Sequence, residues 1–414
     1  MTSVEADAVL PAERRRTGSG FWAVAFAFLI VMSFATLPSP LYGLYRTRDH
    51  LSALMITVIY AIFAGGTIAT LLSVRSIAAR IGRRGVMLVA VATMMASAGL
   101  LAAWKALPGL LIGRLLTGAS VGLAAGTAIT YLIELRLRAD PKASMTRART
   151  IGTSVNVGAL GVGPLIAGLL AQWGKLQLTL PYLVVLALGA IALVGLWGVP
   201  ETGAHTARAT PASEPSGAPR SARLPIPAAA GTLAAFSANG LFAGLSGLFL
   251  ATTLHRPSHA LSGGTLFLVF SSGVVSQLVT VKLKAPRVLA LGTISMLVGL
   301  VLLVVSVRLS IPNLALFLIS GALIGAGAGA VFKGTTGLVL EESAPENRLA
   351  MTSDLLIALF IGLSVPVIGA GVALNQGASA PNTVLGFAIL VGLGVSVSGW
   401  ALVRRRPRDS AQAA

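Results

Sequence analysis

The sequence predicts an all-α integral membrane protein whose twelve transmembrane helices form two pseudo-symmetric bundles of six. Three observations carry this reading. Hydrophobic residues make up 55% of the chain and charged residues 11%, with a mean hydropathy of +0.86. A soluble domain carries about 25% charged residues, so this chain lacks the polar groups to clothe a water-facing surface of its size. Its apolar residues also fall in blocks long enough to cross a bilayer, which takes about 20 helical residues, and a polar stretch divides those blocks into two sets of six.

Residues 1–19 form a polar tail with Arg14, Arg15 and Arg16 just ahead of the first apolar block. That layout resembles a signal peptide, but the apolar run continues from Phe21 to Tyr45 and more spans follow, so it reads as an uncleaved first helix. The predicted spans are 20–45, 52–74, 85–104, 107–135, 150–172, 179–199, 226–253, 261–281, 287–307, 311–338, 349–373 and 382–403. The fifth is the least apolar, diluted by Thr153, Ser154 and Asn156. Residues 201–225 are rich in Pro, Ala, Ser and Thr and read as a flexible linker. They separate an N-terminal bundle at 20–200 from a C-terminal bundle at 226–403, with a polar tail at 404–414.

The net charge of +18 could suggest a nucleic-acid partner, but its distribution argues against one. With the N-terminus inside, the cytoplasmic segments hold 23 Lys and Arg and the opposite side 6. That asymmetry is the positive-inside rule, and it places both termini in the cytoplasm. Forty-seven glycines suit helices that must approach closely where lipid gives no hydrophobic drive between them. The absence of cysteine excludes disulfides and thiolate chemistry. All four histidines fall in predicted loops without metal-ligand spacing, so no metal site is expected. No P-loop is present, nor any paired-carboxylate or Ser/His constellation within the spans, so neither an enzyme nor a bound cofactor is expected.

The two halves carry a weak repeat. The fifth span reads GVGPLIAGLL at 161–170 and the eleventh GLSVPVIGAGV at 362–372, with Pro164 and Pro366 in the fifth span of each half. Both follow a loop that begins at a glutamate, Glu134 or Glu341. Parallel six-span halves are the internal symmetry of one large transporter architecture.

Three local patterns narrow this further. Between spans two and three the sequence is RSIAARIGRRG at 75–85, in which Arg80, Gly82, Arg83 and Arg84 match a signature close to GxxxDRxGRR. In span four, RLLTGASVG at 114–122 supplies an Arg-x-x-x-Gly pattern through Arg114 and Gly118. In span five, Gly161, Gly163, Pro164 and Gly168 form a Gly-Pro motif, and Pro200-Glu201-Thr202 closes span six. On these residues the whole chain resembles the major facilitator superfamily, and in the Gly-Pro motif its bacterial drug and metabolite efflux permeases. The resemblance implies that the signature loop gates the cytoplasmic side and that its Asp latches the two halves. Here that position is Ala79, so this part of the latch is absent or replaced. It also implies an acid at the cytoplasmic end of span four facing the loop arginines. Glu134 either pairs with Arg83 or Arg84 there or stands solvated. Pro164 removes a helix hydrogen bond among glycines, which suits either a hinge or a close-packed seam.

Charge inside the membrane is scarce, and an ionised group at the bilayer centre costs about 2.5–3.5 kcal/mol on insertion scales. Arg114 is expected to face the interior, yet span one has no Asp or Glu between Phe21 and Tyr45 to pair with it. Backbone carbonyls near Pro38 and Pro40 are substitute partners. Lys333 and Asp354 either pair or sit apart, with Lys333 reaching the interface and Asp354 near its helix N-terminus. Asn156, Asn239 and Gln277 either line a cavity or join neighbouring helices. Together these features predict a monomeric transporter in the bacterial plasma membrane that exports small, rather apolar molecules by proton exchange. Uptake of a small metabolite or organic anion is the alternative, and a sensor that binds without transport is a third.

Overall fold

A computed structural model describes residues 11–140, 145–202, 224–309, 311–344 and 347–404. The side chains of Arg14–Arg16, His205 and nearly all of the linker and the C-terminal tail lie outside what it describes. Every described element is helical. Span one is the helix Pro11–Thr36, so the helix already includes much of the predicted N-terminal tail. It stops where Pro38 and Pro40 cannot donate to its ladder, passes through a 3-10 turn at Ser39–Leu41, and resumes as Tyr42–Asp49. Span two starts at Ala53–Ala61, capped by the Ser52 hydroxyl on Met55 N–H, and continues from Phe63 after a one-residue break at Ile62.

Eleven segments are long and apolar enough to cross a membrane, and one of them, Ala53–Ala103, holds two spans. Gly82 interrupts it with φ 74° and ψ 172°, a conformation open essentially to glycine. The chain folds back there. Gly66 packs on the Leu115 carbonyl of span four, while Ser97 donates 2.6 Å to Gly113 O on that same span. In a straight helix Gly66 and Ser97 would lie about 45 Å apart. The basic signature is therefore not the loop its sequence suggests: helix runs up to the glycine, turns on one residue, and restarts as span three at 83–103. Gly82 supplies the backbone freedom that so short a reversal needs.

The remaining spans are Leu107–Ala139, Met145–Trp173, Leu180–Trp197, Ile226–Thr252, His259–Val279, Ala285–Arg308, Leu314–Glu342, Arg348–Asn375 and Ala380–Arg404, numbered four to twelve. With the first three they make twelve among the described residues, two bundles of six. Matching close approaches recur at a six-span offset. A Cβ on Gly118 would overlap Phe63 O where spans four and two touch, and one on Gly325 would overlap Val269 O where spans ten and eight touch. Gly163 meets Ser33 O between spans five and one, and Gly240 meets Leu363 O between spans seven and eleven. Glycine lets backbones meet where the surrounding medium is as apolar as the side chains.

Two joints unite the bundles. Span five lies along span eight, from Val157 beside Gly273 up to Gly168 beside His259 and Gly263. Span two meets span eleven where Gly371 abuts Thr57 and Phe63 stacks edge-on with Phe360, ring centroids 6.1 Å apart. These contacts gather toward the face opposite the Gly82 turn.

Candidate functional site

Arg114 stands on the inner side of span four and is only 1% exposed. Its Nη1 donates 2.7 Å to Ala35 O, three residues before Pro38, where span one is about to break. Its Nη2 and Nε reach Tyr60 O at 3.3 Å and Ile59 O at 3.4 Å, beside the break at Ile62. The Phe63 ring lies 4.8 Å from the guanidinium carbon. Two broken helices thus turn spare carbonyls and an aromatic face toward a cation that has no carboxylate within ion-pair reach among the described residues. Buried this way, Arg114 pins spans one, two and four of one bundle together.

Lys333 does the corresponding work on span ten, the six-span counterpart of span four. Its Nζ donates 2.6 Å to Gln277 O and lies 3.2 Å from Thr280 Oγ1, at the C-terminal end of span eight. Unpaired carbonyls at a helix C-terminus attract a cation. The ion pair with Asp354 considered from sequence is not formed, because these oxygens hold the ammonium. Asp354 lies half-buried near the start of span eleven, with no cation in ion-pair reach among the described residues.

Helices of both bundles also carry buried, uncharged polar groups without partners. Ser33 Oγ, Asn156 Oδ1, Asn239 Oδ1 and Ser364 Oγ, on spans one, five, seven and eleven, are buried and have no hydrogen-bond partner, and Gln277 Nε2 is likewise unpartnered. A cavity of about 100 Å³ opens in the seam near Ser39, Tyr42, Arg46 and Gly244. A larger one of about 350 Å³ lies on the Gly82 face among Trp22, Leu135, Arg136 and Ile151. Neither of these two cavities is lined by Asn156, Asn239 or Gln277. Among the described residues no group of three His, Asp or Glu is placed to hold a metal ion.

On the Gly82 face a second cluster forms. Arg83 Nε lies 2.7 Å from Glu134 Oε2, an ion pair in which the N–H is not aimed at the oxygen. Glu201 occupies the centre: its carboxylate accepts from Arg83 N at 2.8 Å, Arg84 N at 3.0 Å and its neighbour Thr202 N at 3.1 Å. It therefore caps span three from the far end of span six. Arg138 grips the Glu201 and Thr202 carbonyls, Tyr131 donates to Pro200 O, Thr202 donates to Glu134, and Arg84 binds Trp197 O. The cluster joins spans three, four and six within one bundle. Arg80 is exposed and stands outside it.

Gly161, Gly163, Pro164 and Gly168 all lie on packed faces of span five. A Cβ on Gly161 would stand 3.0 Å from Phe267 Cα, and one on Gly168 would overlap His259 O. Pro366 occupies the interior of span eleven as Pro164 does that of span five. Sequence reasoning missed Gln172 and His259, which join the bundles. The sequence places His259 in a loop, whereas it is the first residue of span eight. The signal for that was Ser258, whose hydroxyl caps Leu261 N–H.

Two six-helix bundles related by internal repetition are the architecture of one large class of membrane transporters. The profile of the Major Facilitator Superfamily matches residues 24–284, more than half of the chain, and the chain belongs to that family. A crystal structure of a mutant of the nucleoside transporter NupG is similar to it, with a TM-score of 0.69 at 10% identity, covering 93% of this chain and 99% of that one. It is one of 296 matching solved chains, so the shared fold does not rest on a single structure. No curated protein sequence matches.

Proposed function

We propose that this transporter exports small, uncharged or amphipathic molecules in exchange for protons, by rocking its two bundles about the seam between them. The observation that carries the substrate class is the set of unpartnered groups on Ser33, Asn156, Asn239 and Ser364. A buried polar atom without a partner costs about 1–3 kcal/mol, and such atoms spread over both bundles suit a solute that hydrogen-bonds to both. Neither membrane-embedded cation is free to hold an anion, since Arg114 and Lys333 are each spent on backbone carbonyls. The export direction rests on the resemblance of the Gly-Pro motif in span five, Gly161, Gly163, Pro164 and Gly168, to that of efflux permeases. The 23-to-6 distribution of Lys and Arg supports cytoplasmic termini in a bacterial plasma membrane.

We assign proton exchange to Asp354, a half-buried carboxylate within span eleven that has no cation in ion-pair reach among the described residues. In proteoliposomes with an imposed pH gradient, the wild-type protein should accumulate an amphipathic test solute on the acidic side. Asp354→Asn should lose that accumulation while retaining solute exchange at equal pH. Gradient-driven accumulation by Asp354→Asn at the wild-type rate would remove Asp354 from the coupling role. Uptake is the second reading, favoured by the nucleoside transporter that shares this fold; accumulation on the alkaline side would establish it instead.

A further inference from the structure

The two bundles are tied by hydrogen bonds at one place that their packing alone does not explain. Gln172 stands in the last turn of span five in the N-terminal bundle, and its Oε1 accepts from His259 N at 2.9 Å and from Ser258 Oγ at 3.1 Å, with Ala260 N at 3.4 Å. Those amides are the unpaired donors of the first turn of span eight, in the other bundle. A side chain of one bundle thus caps a helix of the other. His259 crosses the seam a second time: its Nδ1 lies 3.2 Å from Pro40 O on span one. In the tautomer with its proton on Nδ1, His259 donates to that carbonyl.

Immediately inside this polar pair the two backbones meet directly. A Cβ on Gly168 would overlap His259 O, and one on Gly263 would overlap Pro164 O. At the six-span counterpart of this joint, between spans two and eleven, Thr57 sits against Gly371 but donates to Leu54 O of its own helix. Among the described residues no hydrogen bond crosses there. Among the described residues, Gln172 and His259 supply hydrogen bonds across the seam on the face away from the Gly82 turn.

We infer that Gln172 and His259 form a latch that holds the bundles together on this face and must release once in every transport cycle. They are positioning residues, set apart from the unpartnered groups proposed for the solute. Neutral hydrogen bonds at a solvent edge exchange for bonds to water at small net cost. Such a latch biases the closed state without locking it, as a gate that opens repeatedly requires. The inference rests on the reading of the chain as an alternating-access transporter.

The chain has no cysteine, so one introduced thiol reports without background. Ser39→Cys is a suitable reporter: Ser39 is 5% exposed, lines the seam cavity next to Pro40, and its hydroxyl has no partner to lose. In the purified full-length protein, Gln172→Ala and His259→Ala should each speed alkylation of this thiol by a hydrophilic maleimide, roughly five- to tenfold. Gln172→Glu, which still accepts from His259 N–H, should label close to the rate of the parent Ser39→Cys protein. A thiol at Ser97, buried within one bundle, should stay unlabelled in all variants. Unchanged labelling of Ser39→Cys in both alanine variants overturns the latch, and so does an equal rise at Ser97→Cys, which is the mark of unfolding. Solute flux in proteoliposomes separates the two ideas. Normal flux with unchanged labelling sinks the latch alone, whereas faster labelling in the alanine variants of a parent protein that moves no solute sinks the transport reading and with it the release in every cycle.

Discussion

Arg114 carries a full charge into the apolar interior, and three backbone carbonyls with an aromatic ring are what hold it there. Its neighbours on the Gly82 face work differently. Glu134 meets Arg83 with both side chains about a quarter exposed, 28% and 27%, and a pair so wetted is worth about 0–1 kcal/mol. Glu201 instead receives two amides from the first turn of span three, bonds that a charged acceptor strengthens to about 1.5–3 kcal/mol. Glu201→Ala should therefore lower the thermal midpoint of the detergent-purified protein clearly more than Glu134→Ala. Equal losses, or a larger one for Glu134→Ala, would mean that the ion pair and not the helix cap organises this cluster. Little of this was legible in advance. Glu134 could be read as an acid among arginines, but Glu201 reaches backbone N–H groups 117 and 118 residues away, and no local pattern marks an acceptor for a distant main chain.

At the scale of helices, proline and glycine decide where spans bend and how near they come. Pro38 and Pro40 end the first stretch of span one, and the carbonyl left beside that break becomes an acceptor for Arg114. Gly118 lets span four touch the backbone of span two, where any Cβ would overlap Phe63 O. Gly118→Val should cost about 1–3 kcal/mol or more through overpacking, seen as a lower thermal midpoint. Gly99→Ala, with open space around it, should leave the midpoint unchanged. A Gly118→Val protein as stable as wild type would show that this contact yields easily. The glycines of the Arg-x-x-x-Gly and Gly-Pro patterns were visible in the sequence as helix-packing residues. Their partners were not, because a missing side chain carries no record of which backbone fills its place. The one-residue turn at Gly82 was read as a loop for a related reason: arginines and a glycine look alike in a loop and at a sharp break between helices.

For the molecule as a whole, the bundles touch directly through spans two and eleven and spans five and eight, so their association does not depend on the linker. A chain cut within residues 203–223 and expressed as two halves should co-purify as a complex. Halves that purify separately would show that covalent connection is required. Twelve spans in two halves of six could be derived from the sequence, because burial in lipid acts on each segment by itself. The family, too, could be anticipated from short motifs at fixed places along the spans. Only the tertiary structure decided that Lys333 binds the end of span eight and not Asp354, that Glu201 caps span three, and that Gln172 and His259 join the bundles. Each of these is a bond between a side chain and a main-chain group distant in sequence. Every residue offers nearly the same backbone groups, so only folding determines which of them a given side chain meets.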